Sequence, residues 1–417
     1  LGDVYKRQFP SLSLGWMLSN EQFMQKLKFI DMLKFRGSWG KIGDDNVGAR
    51  WLYQTSYGRG GNTMMGSIPA NTPYAIYRIS QLGNPDISWE TSEKKNFGID
   101  YSFFNGLLAG SFDIFKDNRT DILLSGDPGN RAVPSYFGMK APWANIGEVE
   151  SKGYELVVRS NYVFPNKIRV YANFNMTHAS NKILYADDPI FKADYLKKYG
   201  HAINQTKSFL DQGFIRSWDD IYGSTERISN NENKLAGDYL IMDFNGDGII
   251  DGNDEAPYGY TGTPQNTYST TVGFEYKGFS LSAQFYGVSN VTRLVNFPTF
   301  DRQKNVAYAE GTYYNIATGG DVPLPRWAAT APTGANGTRY LYDGSYVRLK
   351  NLEIAYTFTG KWVEKCNMKS LRVYLNGDNL LLWTDMPDDR ESNFSGGATS
   401  GAYPTMRRFN LGINITL

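Results

Sequence analysis

Hydrophobic and polar residues alternate along several segments of this chain, each about ten residues long. In 168–177, IRVYANFNMT, every second residue from Ile168 to Met176 is apolar. In 408–417, RFNLGINITL, the same holds from Phe409 to Leu417. A period of two predicts a β-strand with two unlike faces, and about ten residues let a tilted strand cross a bilayer. We therefore expect membrane-spanning strands whose apolar face meets lipid and whose polar face meets a lumen.

Further segments repeat this pattern, the first two more weakly: 9–16, 33–42, 97–103, 108–116, 154–162, 268–276, 279–286, 352–358 and 371–376. With the two segments above they predict about eleven strands. A bacterial single-chain barrel has an even number of strands. We therefore expect an all-β fold in which this chain forms part of a larger antiparallel barrel, with an open or partial sheet in this chain. Its edges should be 9–16 and 409–417, and an ascending strand is expected upstream of the first.

The predicted strands are joined by connections of alternating length. Short ones, FNGL at 104–107, FPNK at 164–167 and KGF at 277–279, contain the Gly, Asn and Pro that tight turns need. Long ones span 44–91, 118–145, 179–267, 288–345 and 383–404. Short turns on one side and long loops on the other are typical of an outer-membrane barrel, whose long loops are extracellular. On the short side, 17–32 and 359–370 have patterns that predict a helical turn or two.

Composition narrows the class of protein without deciding it. The chain has 29 Tyr, 24 Phe and 9 Trp, which suit the aromatic girdles of a barrel but also a soluble β-sandwich or propeller. Its mean hydropathy of −0.45 is too low for a bundle of membrane helices. Lys and Arg number 43 against 42 Asp and Glu, so nucleic-acid binding is not expected. The one cysteine, Cys366, excludes a disulfide framework.

The segment 243–254, DFNGDGIIDGND, has the spacing of a calcium-binding loop. Carboxylate or amide side chains stand at loop positions one, three, five, nine and twelve: Asp243, Asn245, Asp247, Asp251 and Asp254. Gly248 at position six permits the sharp turn, and Ile249 at position seven offers its backbone carbonyl. We predict a structural calcium site of modest affinity, because aspartate replaces the longer glutamate at position twelve. The alternative is a turn rich in Asp, Asn and Gly that holds no ion.

Enzymatic chemistry finds little support. The only histidines are His178 and His201, and no GxSxG, HExxH or Walker pattern occurs. We therefore predict a protein without catalytic residues. Five exposed aromatic residues of the long loops are candidates for contact with a sugar or peptide ligand: Tyr53, Tyr57, Trp218, Tyr222 and Trp327. The alternative is that these rings hold the loops together.

Longer runs of sequence resemble the barrel strands of SusC/RagA-type TonB-dependent transporters, in wording and in order. They include LKFRGSWGKIGDDNVG at 33–48, NIGEVESKGYELVV at 145–158, GDYLIMDFNGDGIIDGNDE at 237–255 and DGSYVRLKNLEIAYTF at 343–358. The resemblance covers 9–417, whereas the opening LGDVYKRQ, 1–8, fits no part of the family pattern. We expect those eight residues to be a leader or an artefact.

The resemblance implies a 22-stranded barrel in the Gram-negative outer membrane, closed by an N-terminal plug. It also implies that this chain is the C-terminal half of that barrel, about eleven strands. It implies import of an oligosaccharide or a peptide together with a SusD-like surface lipoprotein. Energy would come from TonB–ExbB–ExbD through a region upstream of this chain. The alternative from the residues is a secreted calcium-dependent carbohydrate-binding or glycan-hydrolysing β-protein, which would share the acidic loop and the aromatic loops but would bury one strand face instead of exposing it to lipid.

Overall fold

The computed structural model describes residues 8–45, 50–63, 74–127, 130–229, 231–294, 317, 319–320, 337–386 and 405–417. The predicted leader, apart from Gln8, and Trp327 lie outside these residues. The strands are β1 (Ser11–Met17), β2 (Ile30–Asp44), β3 (Ser56–Thr63), β4 (Tyr74–Gln81), β5 (Glu90–Phe103), β6 (Leu108–Leu124), β7 (Ala144–Val163), β8 (Arg169–Tyr185), β9 (Lys207–Phe209), β10 (Asp211–Phe214), β11 (Glu226–Arg227), β12 (Tyr239–Ile241), β13 (Ile249–Ile250), β14 (Glu255–Pro257), β15 (Asn266–Tyr276), β16 (Phe279–Ser289), β17 (Thr292–Leu294), β18 (Leu341–Asp343), β19 (Tyr346–Phe358), β20 (Ser370–Thr384) and β21 (Arg408–Thr416). The two α-helices are α1 (Trp218–Gly223) and α2 (Lys361–Lys365).

One large sheet organises the chain. It contains eleven strands in the order β1-β2-β5-β6-β7-β8-β15-β16-β19-β20-β21, and each of its pairs is antiparallel. The sheet is open, with β1 and β21 as its edges. The predicted all-β fold, the number of strands and the two edge strands are confirmed.

The two faces of the sheet differ as the alternation predicts. Directly paired residues share a face, so Phe174 of β8, Thr270 of β15 and Phe285 of β16 form one row. We call the face that carries Phe174 and Phe285 the outward face and the opposite one the inward face. Phe97 and Ile114, paired on the outward face, are each about half exposed. Large apolar side chains exposed along a continuous sheet face fit contact with lipid.

Tight turns close the short side of the sheet. Phe104, Asn105 and Gly106 all have positive φ between β5 and β6, as do Lys277 and Gly278 between β15 and β16. A Cβ at position 278 would lie 2.5 Å from the carbonyl oxygen of Thr357, so glycine is required there by space as well as by conformation. A 3₁₀ helix (Leu18–Asn20) and α2 occupy the two short-side connections with predicted helical turns.

The long connections contain small sheets that the sequence did not predict. Pairs form between β3 and β4, β9 and β14, β10 and β12, β11 and β13, and β17 and β18. A buried cluster joins two long connections: Phe214, Tyr239, Ile241 and Ile250 come from the connection between β8 and β15, and Tyr340 comes from the connection between β16 and β19. Among the described residues, no helix has the length and apolar character needed to cross a membrane.

Candidate ligand-contacting surface

The inward face of the sheet is polar, and several of its charges form ion pairs. Arg36 of β2 bridges two neighbouring strands, with its Nε 3.1 Å from both carboxylate oxygens of Asp100 and its Nη2 2.6 Å from Oδ2 of Asp113. Space for the guanidinium exists because residue 98 is glycine: a Cβ there would lie 2.7 Å from Cζ of Arg36. Such paired charges present hydrogen-bonding groups to a lumen without leaving a bare buried ion.

Further inward ion pairs follow along the sheet. Arg169 of β8 pairs with Glu275 of β15 at 3.2 Å, and Arg372 of β20 pairs with Glu353 of β19. Each joins side chains on adjacent strands, where opposite charges stabilise the pairing. These ion pairs orient the charged groups that take part in them.

Near β21, one inward row consists of directly paired polar side chains on four strands: Gln284, Asn351, Asp378 and Arg408. Together with Lys350, Asn379 and Met406 they line a shallow recess of about 420 Å³. Register shifts after Gln284 and Leu349 show β-bulges beside it, and bulges re-aim side chains next to binding sites. Asn351 donates a hydrogen bond of 2.8 Å to Asp378, which fixes two members of the row.

Buried charges lie inside the connection between β8 and β15. Arg227 is buried, lies 3.8 Å from Asp238 and donates to the carbonyl oxygen of Tyr239 at 2.9 Å. Burial lowers the pKa of Arg227, and burial together with the positive charge of Arg227 lowers the pKa of Lys234. Lys234 donates to the carbonyl oxygen of Thr225 at 2.7 Å. These contacts make the connection a packed body and not a loose loop.

The acidic segment 243–254 winds tightly through hydrogen bonds from backbone N–H groups to carboxylates. Asp243 accepts from Gly246 and Gly248 at 2.7 and 2.8 Å, and Gly248 has a φ of +85° as position six requires. Asp254 is fully buried and accepts from Phe244 and Asp251, both at 2.8 Å. In the part of the chain that the structure describes, no three His, Cys, Asp or Glu side chains converge as a metal site.

Tyr195 packs against this segment, and the negative charge of the segment affects the pKa of Tyr195. Its hydroxyl donates to the carbonyl oxygen of Asn253 at 2.5 Å, and its ring meets Phe244 edge-on at 4.8 Å. The pKa of Tyr195 is raised, first by burial and then by the negative charges of four aspartates: Asp254, Asp247, Asp251 and Asp243. The four carboxylates therefore act on one small region. Sequence reasoning missed Tyr195, because it lies 48 residues before the segment that it covers.

The predicted aromatic ligand contacts fall into two pairs. Tyr53 and Tyr57 lie at the start of the β3–β4 hairpin, and Trp218 and Tyr222 lie one turn apart on α1. All four are exposed. Within the described residues no ring contact joins one pair to the other. His178 is a strand residue that stacks on Tyr154 at 5.1 Å and bonds to Asn266.

Comparison with known proteins agrees with this architecture. The family model described as "TonB dependent receptor-like, beta-barrel" matches residues 2–380. TonB-dependent receptor P3 of Formosa agariphila is 26% identical over 98% of this chain and 41% of its own length. TonB-dependent receptor SusC of Bacteroides thetaiotaomicron is 24% identical over 98% of this chain and 40% of its own length. The chain thus spans about two fifths of these relatives.

Among solved structures, the RagAB peptide importer in its closed-closed state superposes with a TM-score of 0.67 at 19% identity, covering 98% of this chain and 43% of the matched one. Its open-open state gives 0.68 at 19% identity, over 98% and 42%. These likenesses support the fold. With the family match they establish that the chain belongs to the TonB-dependent receptor β-barrel family, of the SusC/RagA type, and that its place is the outer membrane.

Proposed function

We propose that this chain supplies barrel wall and extracellular connections to a TonB-driven importer of an oligosaccharide or a peptide, working with a SusD-like surface lipoprotein. The observation that carries the proposal is the sheet with two unlike faces, apolar outward and polar inward. A lumen lined by Gln284, Asn351 and Arg408 offers the donors and acceptors that hydroxyl and amide groups need. The exposed rings on the long connections offer flat surfaces for stacking.

Support for the substrate class comes from relatives. SusC is named a TonB-dependent receptor and RagAB a peptide importer. We nevertheless take the oligosaccharide as the first candidate, because three neutral amide side chains, Gln284, Asn351 and Asn379, line the inward recess. The alternative of a secreted carbohydrate-binding or glycan-hydrolysing β-protein does not fit a chain of an outer-membrane family.

We propose that no bond is made or broken. The inward carboxylates of Asp113, Glu275 and Glu353 each bond to an arginine. Each of these carboxylates is thus one half of a charge pair between strands, which is a structural role.

Uptake tests the import proposal. The receptor, at its full expressed length and with its lipoprotein, is placed in cells with functional TonB and offered labelled oligosaccharides and peptides. We expect saturable uptake of one class that stops when TonB is deleted. Asn351→Ala with Arg408→Ala should lower uptake several-fold, whereas outward Thr270→Ala should not. Uptake that persists without TonB would contradict the mechanism, and uptake of neither class would contradict the substrate assignment.

We also propose calcium at Asp243, Asn245, Asp247, Ile249, Asp251 and Asp254. The donor set of carboxylate, amide and backbone carbonyl oxygens suits this ion, and the turn at Gly248 has the required conformation. The four carboxylates that raise the pKa of Tyr195 repel one another, and a divalent cation would offset that repulsion. When bound, the ion would tie the ends of the segment together.

Calorimetric titration of the purified receptor tests this site. We expect a dissociation constant for calcium of about 10⁻⁴ to 10⁻³ M, as in extracellular modules. Asp247→Ala should abolish the calcium heat without unfolding the sheet, because the segment lies outside the main sheet. Asp219→Ala, an exposed acid on α1, is the matched control. Absence of calcium-dependent heat at millimolar ion, with the segment folded, would exclude the site.

A further inference from the structure

A group of lysines lies on the outward face, toward the long-connection end of the sheet. One row of directly paired residues runs across β2, β5, β6 and β7: Trp39, Lys95, Lys116 and Lys152. A second row lies two residues nearer the long connections and continues onto β8. It consists of Lys41, Glu93, Asn118, Glu150 and Lys182. We call these two rows the lysine belt. Five lysines against two glutamates give the belt a net charge of +3.

The belt places like charges side by side. Directly paired residues on neighbouring strands lie about 5 Å apart, and like charges at that spacing destabilise the pairing. Glu150 offsets part of this repulsion, with its carboxylate 2.5 Å from Lys116 and 3.7 Å from Lys152. Glu93 lies 3.2 Å from Lys95. Because Glu150 pairs with two lysines, positive charge remains in excess. The side chains of Lys95, Lys116 and Lys152 are 46% to 67% exposed.

The belt borders the apolar part of the wall. Two residues nearer the short turns, the outward row is Phe97, Ile114 and Tyr154. Lys95 is eight residues from Phe103 at the short end of β5. Eight residues of a strand tilted by about 40° rise roughly 20 Å, close to the height of about 25 Å of an outer-membrane apolar band. Lysine stems can follow the apolar surface while their ammonium groups reach the interface.

Among the described strands, this charge is concentrated in one part of the wall. The long-connection ends of β19 and β20 carry Val347 and Trp383, directly paired on the same outward face. An apolar and an aromatic residue at that end show that lysines are not a general feature of the rim. The belt therefore needs a reason of its own.

We propose that the lysine belt binds the phosphate groups of an anionic membrane lipid in the leaflet that faces the long connections. A phosphorylated headgroup supplies the negative charge that the belt lacks, and basic residues at a membrane surface attract anionic lipid. The exposed row of Phe97 and Ile114 directly below accepts the acyl chains. A lipid meets both features at once, whereas free phosphate would meet only the first.

Lipid binding can be measured on the full-length receptor in nanodiscs of zwitterionic phosphatidylcholine. The probe is lipid A, a bisphosphorylated glycolipid, and bound lipid is counted by native mass spectrometry. We expect lipid A to bind, and the triple variant Lys95→Gln, Lys116→Gln, Lys152→Gln to bind it at least roughly tenfold more weakly. The triple arginine variant at the same positions should retain binding, since it retains the charge. Millimolar inorganic phosphate should not displace the lipid.

The matched control removes three charges from the short side, at Lys361, Lys365 and Lys369, and should leave lipid A binding unchanged. Heat-modifiable migration on gels verifies that each variant is folded. Equal binding by the folded glutamine variant and the unaltered receptor would overturn the proposal. Displacement by inorganic phosphate would overturn the assignment to a lipid. Neither result depends on whether the receptor imports a sugar or a peptide.

Discussion

Replacing Arg36 with methionine removes the guanidinium that bridges Asp100 and Asp113 while keeping an apolar side chain in the wall. Asp113 is buried, and its Oδ1 has no hydrogen-bond partner among the described residues. The 2.6 Å bond from Arg36 to Oδ2 is therefore the main compensation for a buried negative charge. Without the bond from Arg36, the desolvation of Asp113 is no longer offset by a favourable interaction.

The expected cost follows from burial. Removing one partner of a fully buried ion pair costs about 3–5 kcal/mol. Because the Arg36 side chain is 35% exposed, water screens part of the interaction, and we expect a loss of about 2 kcal/mol in unfolding free energy. Asp113→Asn removes the charge of the partner. The double variant leaves no uncompensated charge at position 113, whereas Asp100 loses its arginine in both the single and the double Arg36 variants. The losses from Arg36→Met and Asp113→Asn should therefore fall short of additivity by about 1 kcal/mol or more.

Denaturant unfolding of the folded receptor in detergent micelles, followed by tryptophan fluorescence, measures these differences. The control is Lys94→Met, because Lys94 of β5 lies 3.8 Å from Asp117 of β6, the strand that also carries Asp113, but is 54% exposed. An exposed pair of this kind contributes about 0–1 kcal/mol. If Arg36→Met and Lys94→Met shift the unfolding midpoint equally, or if the double variant shows strict additivity, the account of the inward wall as a set of compensated charges is wrong.

Two further changes test the sheet and the connection. Gly153→Ala would place a Cβ 1.9 Å from the carbonyl oxygen of His178 on the paired strand. We expect this substitution to destabilise the β7–β8 pairing by about 1–3 kcal/mol in the same unfolding assay. The control is Gly37→Ala, which should cost little because no atom lies within 4 Å of the added Cβ. Burial, and then Tyr340, raise the pKa of Tyr239 above its ordinary value of 10.0, so the stability it contributes is complete below that pH and is lost as pH rises above it. Hydrogen exchange in 207–257 should therefore accelerate above about pH 10 in the unaltered receptor and show less of that pH dependence in Tyr239→Phe; a pH dependence equal in both would refute this reasoning.

The sequence predicted the parts of the strands where contact with lipid imposes alternation. It did not predict the strand ends, where no such alternation is imposed. For β8 the alternation suggested 168–177, whereas the strand is Arg169–Tyr185. For β7 it suggested 154–162, whereas the strand is Ala144–Val163. The added residues lie at the long-connection ends, where both faces meet water and no pattern is required. Strand identity could therefore be predicted from the sequence, but strand length could not.

The lysine belt shows a related limit. Lys95, Lys116 and Lys152 are scattered along the chain, and only the register brings them into one row. Their outward position was nevertheless implied by alternation, because each lies two residues from an outward apolar or aromatic side chain. What the sequence lacked was the pairing, since a shift of one residue would move every side chain to the other face.

The core of the long connection depends on contacts still more distant in sequence. The hydroxyls of Tyr239 and Tyr340 meet at 2.5 Å across 101 residues, and Arg339 lies over the ring of Phe214 at 4.4 Å. No local pattern marks such partners. A reader of the sequence sees many aromatic residues in this region and cannot separate those that build the core from those that remain at the surface.

The structure separates the aromatic residues of the long connections into buried and exposed ones. This division bears on whether the loop aromatics contact a ligand or hold the loops together. If Trp218 and Tyr222 held the connection together, they would be buried, yet they are 66% and 83% exposed. The buried cluster around Phe214 and Tyr239 already holds the connection. Trp218 and Tyr222 also lie one turn apart on α1, whose first turn is capped by the side chain of Ser217. These two rings share a capped helix and take no part in the buried cluster, so contact with a ligand stays our proposal for them.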